Sequence, residues 1–311
     1  MSSSENSQFK TALVTGGTDG LGRATAILLA QEGFRVFAAG RDAQKRAALE
    51  QFAEEHELPL QTLELDVTDD ASAARAVGEA ERRTGGVDVL VNNAGIAIAA
   101  VMEEITLTDL RKQFETNVIA PVRMAQLVLP GMRERRRGRI INMSSIAGKV
   151  AHPLMGPYSG SKHALEAVSD AMRLELAQFG IQVVLIEPGF IPTNINQASA
   201  GLSAMYMQNA GTSAYARTYS GFLEMWKKVV NRSRSKPEDC ARVILHAIRA
   251  DSPKARYLVT REAKISAAMK WLLSDRRMDR ITLRMLGMHR DAPVKLPENI
   301  QSEIEEVART R

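Results

Sequence analysis

From residue 11 to about residue 190, short β-branched runs alternate with longer stretches of helical periodicity, and this rhythm restricts the fold more than any other feature. The strand-like runs are Thr11 to Thr15, Arg35 to Ala39, Gln61 to Leu65, Val87 to Val91, Arg139 to Met143 and Gln182 to Glu187, with a last one at Arg256 to Val259. Strands separated by helices assemble as βαβ units, so they lie parallel, and right-handed crossovers place the helices on both faces. The expected fold is therefore α/β: a doubly wound domain with a parallel sheet of about seven strands. Gly33 follows the periodic segment Ala24 to Gln31 and Gly180 follows Lys162 to Phe179, where a left-handed residue ends a helix.

The chain has 311 residues, and neither a repeat nor a low-complexity linker divides it. The expected organisation is a single domain over residues 1–260, with a helical, basic C-terminal extension over 261–311. At 45% hydrophobic and 25% charged residues, the composition is that of an ordinary globular protein. The net charge of +5 is spread among charges of both signs, so no nucleic-acid partner is expected. The densest basic run, Arg133, Arg135, Arg136, Arg137 and Arg139, has no interleaved aromatics and reads as a solvated helix C-terminus leading into the fifth strand. One cysteine, Cys240, falls in an apolar-periodic stretch and cannot form an intrachain disulfide. The polar start, Met1 to Lys10, lacks a secretory apolar core, and no run of about 18 apolar residues occurs. The expectation is a soluble, cytoplasmic protein. His56, His152, His163, His246 and His289 show no ligand-like spacing, so no metal is expected.

Directly after the first strand the chain reads Thr15-Gly16-Gly17-Thr18-Asp19-Gly20-Leu21-Gly22 and enters a helix. A strand, a glycine-rich turn and a helix N-terminus suit a dinucleotide: glycines permit close backbone approach, and the free N–H groups and positive helix end receive the pyrophosphate. Further along come Asn92-Asn93-Ala94-Gly95 after the fourth strand, then Ser145, then Tyr158-x-x-x-Lys162, then Pro188-Gly189. In this order and over residues 10 to 260, the set resembles the short-chain dehydrogenase/reductase superfamily. The resemblance implies a Rossmann fold and a nicotinamide-dependent oxidoreductase. Longer-branch epimerases and dehydratases space their glycines as Gly-x-x-Gly-x-x-Gly, which this chain does not.

Tyr158 and Lys162, four apart on one helix, leave the same face. A phenol with a reference pKa of about 10 needs cationic neighbours to work as an acid or base near neutrality, and Lys162 supplies one. By the resemblance, Ser145 holds the substrate oxygen; the adjacent Ser144 is the alternative, but it points to the opposite strand face. Asn117 matches the family's structural asparagine, which helps a water connect Lys162 to solvent. The resemblance also gives cofactor contacts to Gly16, Thr18, Asp19, Gly20, Leu21 and Gly22, to Asp66 and Val67 at the adenine, to Asn93, Ala94 and Gly95, to Tyr158 and Lys162, and to Pro188, Gly189, Ile191 and Thr193 at the nicotinamide. After the second strand stands Ala39-Gly40-Arg41-Asp42, with glycine where an NAD enzyme usually offers a carboxylate. Arg41 can grip a 2′-phosphate, so NADP(H) is expected over NAD(H), with the adjacent Asp42 pulling the other way.

In the family, the region 194–236 lids the substrate cleft. Here it carries Met205, Tyr206, Met207, Tyr215, Tyr219, Phe222, Met225 and Trp226, in a chain only 5% aromatic. Either these residues line an apolar cleft for a lipophilic alcohol or ketone, or they pack the lid on the domain. The extension past residue 260 looks most like the retinol and hydroxysteroid dehydrogenase branch. A 3-oxoacyl thioester reductase and a non-catalytic NADP(H)-sensing regulator are the other readings. Between Ala263 and Met288, apolar residues recur at helical spacing among basic ones, which fits packing on the domain, on another subunit, or weakly on a membrane surface. The family tends to form dimers or tetramers.

Overall fold

The structure is a computed structural model that describes residues 9–193 and 195–288, with backbone only at 195–200. Asn194 and the last part of the extension, 289–311, lie outside the described residues. Seven strands form one parallel sheet: β1 (Thr11–Thr15), β2 (Arg35–Gly40), β3 (Leu60–Glu64), β4 (Val89–Asn92), β5 (Gly138–Met143), β6 (Ile181–Glu187) and β7 (Arg256–Leu258). Their spatial order is β3-β2-β1-β4-β5-β6-β7. The winding reverses between β1 and β4, which opens a crevice above their carboxyl ends.

Boundaries moved little from expectation. The third strand begins and ends one residue early, and the fourth starts at Val89 because the Asp88 carboxylate turns aside to accept from the amides of Lys10 (2.9 Å) and Thr11 (3.1 Å). One face of the sheet is covered by α1 (Gly20–Gln31) and α9 (Pro237–Arg249), which bury Leu29, Cys240 and Ile244 against β1 and β6. Burial pushes the Cys240 thiol up to about 12. The other face is covered by α3 (Asp70–Thr84) and α5 (Ala120–Glu134), burying Ala76, Met124 and Val128. Gly33 (φ +87°) and Gly180 (φ +70°) take the expected left-handed conformation.

The long helix expected around Asn117 is broken in register. Helix α4 (Leu107–Phe114) passes through a π turn, Glu115–Ile119, into α5. Pro121 has no N–H to give to the Asn117 carbonyl four residues back, and the Ala120 N–H reaches instead to Glu115.

The arginine run is only in part the solvated helix end expected: Arg133 and Arg136 are exposed, while Arg135 and Arg137 are half-buried and Arg139 is buried. Arg135 donates to the Val87 carbonyl (2.9 Å), Arg136 to that of Gln178 (2.9 Å), and buried Arg139 to those of Ala247 and Ala250, while Arg137 faces Asp88 at 3.5 Å. These guanidiniums close carbonyls at the amino end of the sheet, opposite the crevice.

Candidate active site

The glycine turn is locked to the loop after β4. The Thr15 hydroxyl accepts from the amides of Asn93 and Ala94, both at 3.0 Å, and Asn93 Nδ2 donates to the carbonyls of Thr15 (3.0 Å) and Gly16 (3.1 Å). Gly16 has φ +60°, and a Cβ there would stand 3.0 Å from Asn93 Nδ2 and 3.1 Å from Ala94 Cα. Only glycine lets the two loops touch. Gly22, at the start of α1, packs directly on the Gly16 carbonyl. Gly20 (φ +51°) faces Thr193, whose Cβ lies 3.3 Å from where a Cβ at 20 would be, so the loop after β6 closes over the turn. The Asp19 carboxylate caps α1 by accepting from Gly20 N (2.7 Å) and pairs with Lys45. One amide at the helix end is thus satisfied internally, and the donors beyond it are left free of the Asp19 cap and suit an anion. The turn, its helix end and the surrounding loops fit a dinucleotide pyrophosphate.

Gly40 closes β2 because a side chain there would meet the Thr18 hydroxyl, 2.6 Å from an added Cβ, and that excludes the usual carboxylate. Arg41 is largely exposed and lies 3.6 Å from Asp66. Asp42 turns away as the N-cap of α2 (Ala43–Glu55), accepting from the amides of Gln44 (2.9 Å) and Lys45 (3.1 Å). Asp66 accepts from the Thr68 amide and hydroxyl (2.9 and 2.7 Å); burial raises its carboxyl, but the Thr68 and Arg41 hydrogen bonds outweigh it and hold the group below the usual range. The side chain of Val67 joins the core, and its carbonyl accepts from Arg123 at 2.9 Å.

Ser145, Tyr158 and Lys162 converge at the carboxyl end of β5. Helix α6 (Gly156–Leu176) carries the tyrosine and lysine on one face, and the Tyr158 phenol faces the Ser145 hydroxyl. Ser145 Oγ accepts from Ala147 N (3.1 Å) and leans toward the Pro188 carbonyl (3.4 Å). Lys162 is 6% exposed; its Nζ lies 5.6 Å from the Tyr158 ring centre and donates to the Met143 carbonyl at 2.6 Å. Burial pushes the Lys162 ammonium down to about 8, with Glu166 pulling it back up. Burial raises the Tyr158 phenol above its ordinary value, with the Ser145 hydrogen bond opposing. Ser144 is buried on the far side, its Oγ close to Gly148.

Asn117 sits in the π turn, fully buried. Its Oδ1 accepts from Ile96 N (2.9 Å), and its Nδ2 donates to the Ile96 carbonyl (2.9 Å) and to Ser161 Oγ (3.0 Å). The side chain thus ties the loop after β4 to α6. Gly95 lies between them; a Cβ there would meet Asn117 Oδ1 at 3.3 Å and Lys162 Nζ at 3.9 Å. Gly189 packs on Thr260, and Ile191 is buried in the core, so the loop after β6 is held from below.

Sequence reasoning missed the charges behind Lys162. A turn further along α6, Glu166 joins Glu187, Lys149 and Arg256 in a buried cluster: Arg256 reaches Glu166 at 2.8 Å and Lys149 reaches Glu187 at 3.0 Å. Burial and Glu166 push the Glu187 carboxyl up to about 7, against Lys149 and Arg256. The signal was there, in an acid four residues after Lys162 and another closing an apolar strand.

Helices α7 (Ile195–Gln208) and α8 (Ala216–Arg232) form the segment expected as a lid, and several of its aromatics pack rather than line a cleft. Tyr206 donates to Asp109 (2.5 Å) and Tyr219 to Glu104 (2.6 Å), while Tyr206, Met207, Tyr219 and Phe222 are buried against Ile98 and Leu154.

Comparison with known proteins agrees with this architecture. Residues 10–201 match the short chain dehydrogenase family. The NADPH-dependent 3-dehydrocapnine reductase of Ornithobacterium rhinotracheale is 35% identical over 88% of this chain and 96% of its own length. The human 17-beta-hydroxysteroid dehydrogenase type 1 is 34% identical over 80% of this chain and 76% of its own. The crystal structure of a single-site variant of the actinorhodin polyketide ketoreductase with NADPH superposes with a TM-score of 0.69 at 29% identity, covering 83% of this chain and 97% of that one. With the sheet order, the glycine turn and these similarities in agreement, the chain belongs to the short-chain dehydrogenase/reductase family, on its hydroxysteroid dehydrogenase-like side, and is an oxidoreductase that binds NAD(P).

Proposed function

We propose that this protein is a cytoplasmic NADP(H)-dependent oxidoreductase that interconverts a ketone or aldehyde and the corresponding alcohol on a lipophilic substrate, with Tyr158 as general acid and base. The observation that carries this reading is the meeting of Ser145, Tyr158 and Lys162 beside the glycine turn. The glycine turn and the loops after β4 and β6 would hold NADPH, which when bound would supply the hydride. Ser145 donates a hydrogen bond to the substrate oxygen as negative charge develops there. Tyr158 then gives its proton to that oxygen, and the Lys162 ammonium stabilises the resulting phenolate. Asn117, with its helical carbonyl released by Pro121, holds the water through which Lys162 reaches solvent. Residues 1–260 act as one catalytic domain whose segment 194–236 closes the cleft, and the enzyme works as a homodimer or homotetramer.

Three features favour NADP(H). Gly40 leaves no room for a competing carboxylate, the Asp42 carboxylate is engaged in capping, and Arg41 presents an exposed guanidinium at the ribose end. The relative named as NADPH-dependent points the same way. Substituting Arg41 by Ala is expected to lower the preference for NADPH over NADH about 10- to 100-fold, the worth of a charge-assisted fork. Paired kcat/KM measurements with the two cofactors check it, and an unchanged ratio overturns the assignment.

For a lipophilic substrate, the support is an aromatic bridge between lid and nicotinamide loop: Trp226 meets Phe190 edge-on at 4.9 Å and stacks on Phe222 at 5.8 Å. Met102 lies over the start of the catalytic helix, 2.6 Å from where a Cβ at Gly156 would be. If this surface accepts the substrate, each buried methylene contributes about 0.8 kcal/mol, so decan-2-one should exceed hexan-2-one about two-hundredfold in kcat/KM. Equal rates overturn the lipophilic assignment while leaving the chemistry intact.

A further inference from the structure

Helix α10 (Arg261–Leu272) and helix α11 (Asp275–Met285) form a surface that the oxidoreductase chemistry does not use. The sequence reads as one continuous apolar periodicity from Ala263 to Met288, but the chain breaks at Leu273 and Ser274, whose extended backbone starts α11 afresh. The break gives the two helices different faces. On α10 large apolar side chains stand outside among charged ones: Trp271 is 84% exposed, Leu272 67%, and Ile265 also stands out, beside exposed Arg261, Glu262, Lys264 and Lys270. On α11 Met278 turns inward, as does its C-cap Leu286, while Arg276, Arg277, Arg280 and Arg284 stay in solvent with Asp275 and Asp279, beside exposed Leu283 and Met285. From 261 to 288 there are seven basic side chains against three acidic ones.

The position of this surface follows from topology. Strand β7 runs parallel to β6, so α10 starts at the carboxyl end of the sheet, the end that carries Ser145 and the glycine turn. Thr260, the N-cap of α10, and Ala263 pack on Gly189 of the nicotinamide loop, and the Leu286 carbonyl of α11 packs on Gly221 of α8. The patch thus borders both the loop and the lid.

We infer that α10 and α11 form a docking surface for an anionic lipid bilayer. Exposed tryptophan and leucine beside a basic helix face match an interfacial mode, in which apolar side chains enter the headgroup region and cations meet anionic headgroups. Charge decides against a second copy of this chain: a two-fold contact through the same patch places the same excess of positive charge on both sides. No helix among the described residues is long and apolar enough to cross a membrane, so the contact is peripheral. The surface stands independently of which carbonyl the enzyme reduces.

The sequence holds two tryptophans, so the W226F variant of the full chain leaves Trp271 as sole reporter. Sucrose-loaded vesicles of phosphatidylcholine alone, or with 30 mol% phosphatidylserine, are mixed with this protein at low and high salt. The expected result is a blue shift of Trp271 emission and at least tenfold stronger sedimentation with the anionic vesicles, abolished by 0.5 M NaCl. In W271A/L272A and in R276E/R280E/R284E, binding falls at least tenfold while NADPH binding, read by quenching or calorimetry, stays at the W226F value and shows the variants folded. Equal affinity for both vesicle types, absence of binding at low salt, or burial of Trp271 through lipid-free self-association in sedimentation velocity each overturns the proposal.

Discussion

The Tyr158→Phe variant is expected to reduce carbonyl substrates about a thousandfold more slowly than wild type while binding NADPH within about threefold of the same affinity, because only a positioned proton donor is lost. The ring keeps its volume, and its 5.6 Å contact with the Lys162 ammonium needs no hydroxyl, so the helix face is preserved. What disappears is the hydroxyl that faces Ser145, and with it the proton proposed to reach the substrate oxygen. Burial holds this phenol above its ordinary value, which keeps it protonated through neutral pH, the state that reduction requires. Single-turnover hydride transfer from pre-bound NADPH separates the proton step from cofactor binding. Retention of more than a tenth of the wild-type rate would assign the proton to another group.

The elements that could be read from the chain are those governed by local rules. Strand and helix alternation and the glycine punctuation act within a few residues, and the sheet followed from them. Spacing also placed Tyr158 and Lys162 on one face of α6. Contacts made across the fold were harder to read. The arginines after α5 look like an ordinary solvated helix end, and only the folded sheet shows them bonded to the carbonyls of Val87, Gln178 and Ala247. Likewise the lid tyrosines have a pattern that suits either a cleft or a core. Their role was decided by Glu104 and Asp109, about a hundred residues away in sequence, a distance over which no periodicity speaks. Asn117 was recognisable by type, but its π turn depends on Pro121, four residues further on, lacking a donor. The break between α10 and α11 was missed because apolar spacing alone does not register an N-cap serine.

The second large effect concerns pH, and its sign follows from burial. Lys162 titrates at about 8 because desolvation disfavours its charged form, so a lysine that would stay cationic past pH 10 in water loses its proton within a range an assay can reach. Tyr158 moves the opposite way, upward, and remains protonated there. Lys162 is therefore the first of the pair to change. On the proposed mechanism reduction uses its positive charge to stabilise the emerging phenolate, so kcat/KM with NADPH should fall on the order of a hundredfold between pH 7.5 and pH 10, along a limb centred near 8. Glu187, held up to about 7 by burial and by Glu166, has already ionised over this range. Glu166 is the charge that keeps Lys162 from falling further, and Arg256 at 2.8 Å and Lys149 at 3.9 Å hold it in place from β7 and from the turn after β5. Substituting Glu166 by Gln preserves shape and removes that pull, so the limb should move toward neutral pH by about half a unit to one unit, while the plateau rate per protonated enzyme changes less than about threefold. A merely structural role for Glu166 would lower the plateau and leave the limb in place. A limb that stays near 8, or moves to higher pH, would show that the buried carboxylate does not set the charge of the catalytic lysine.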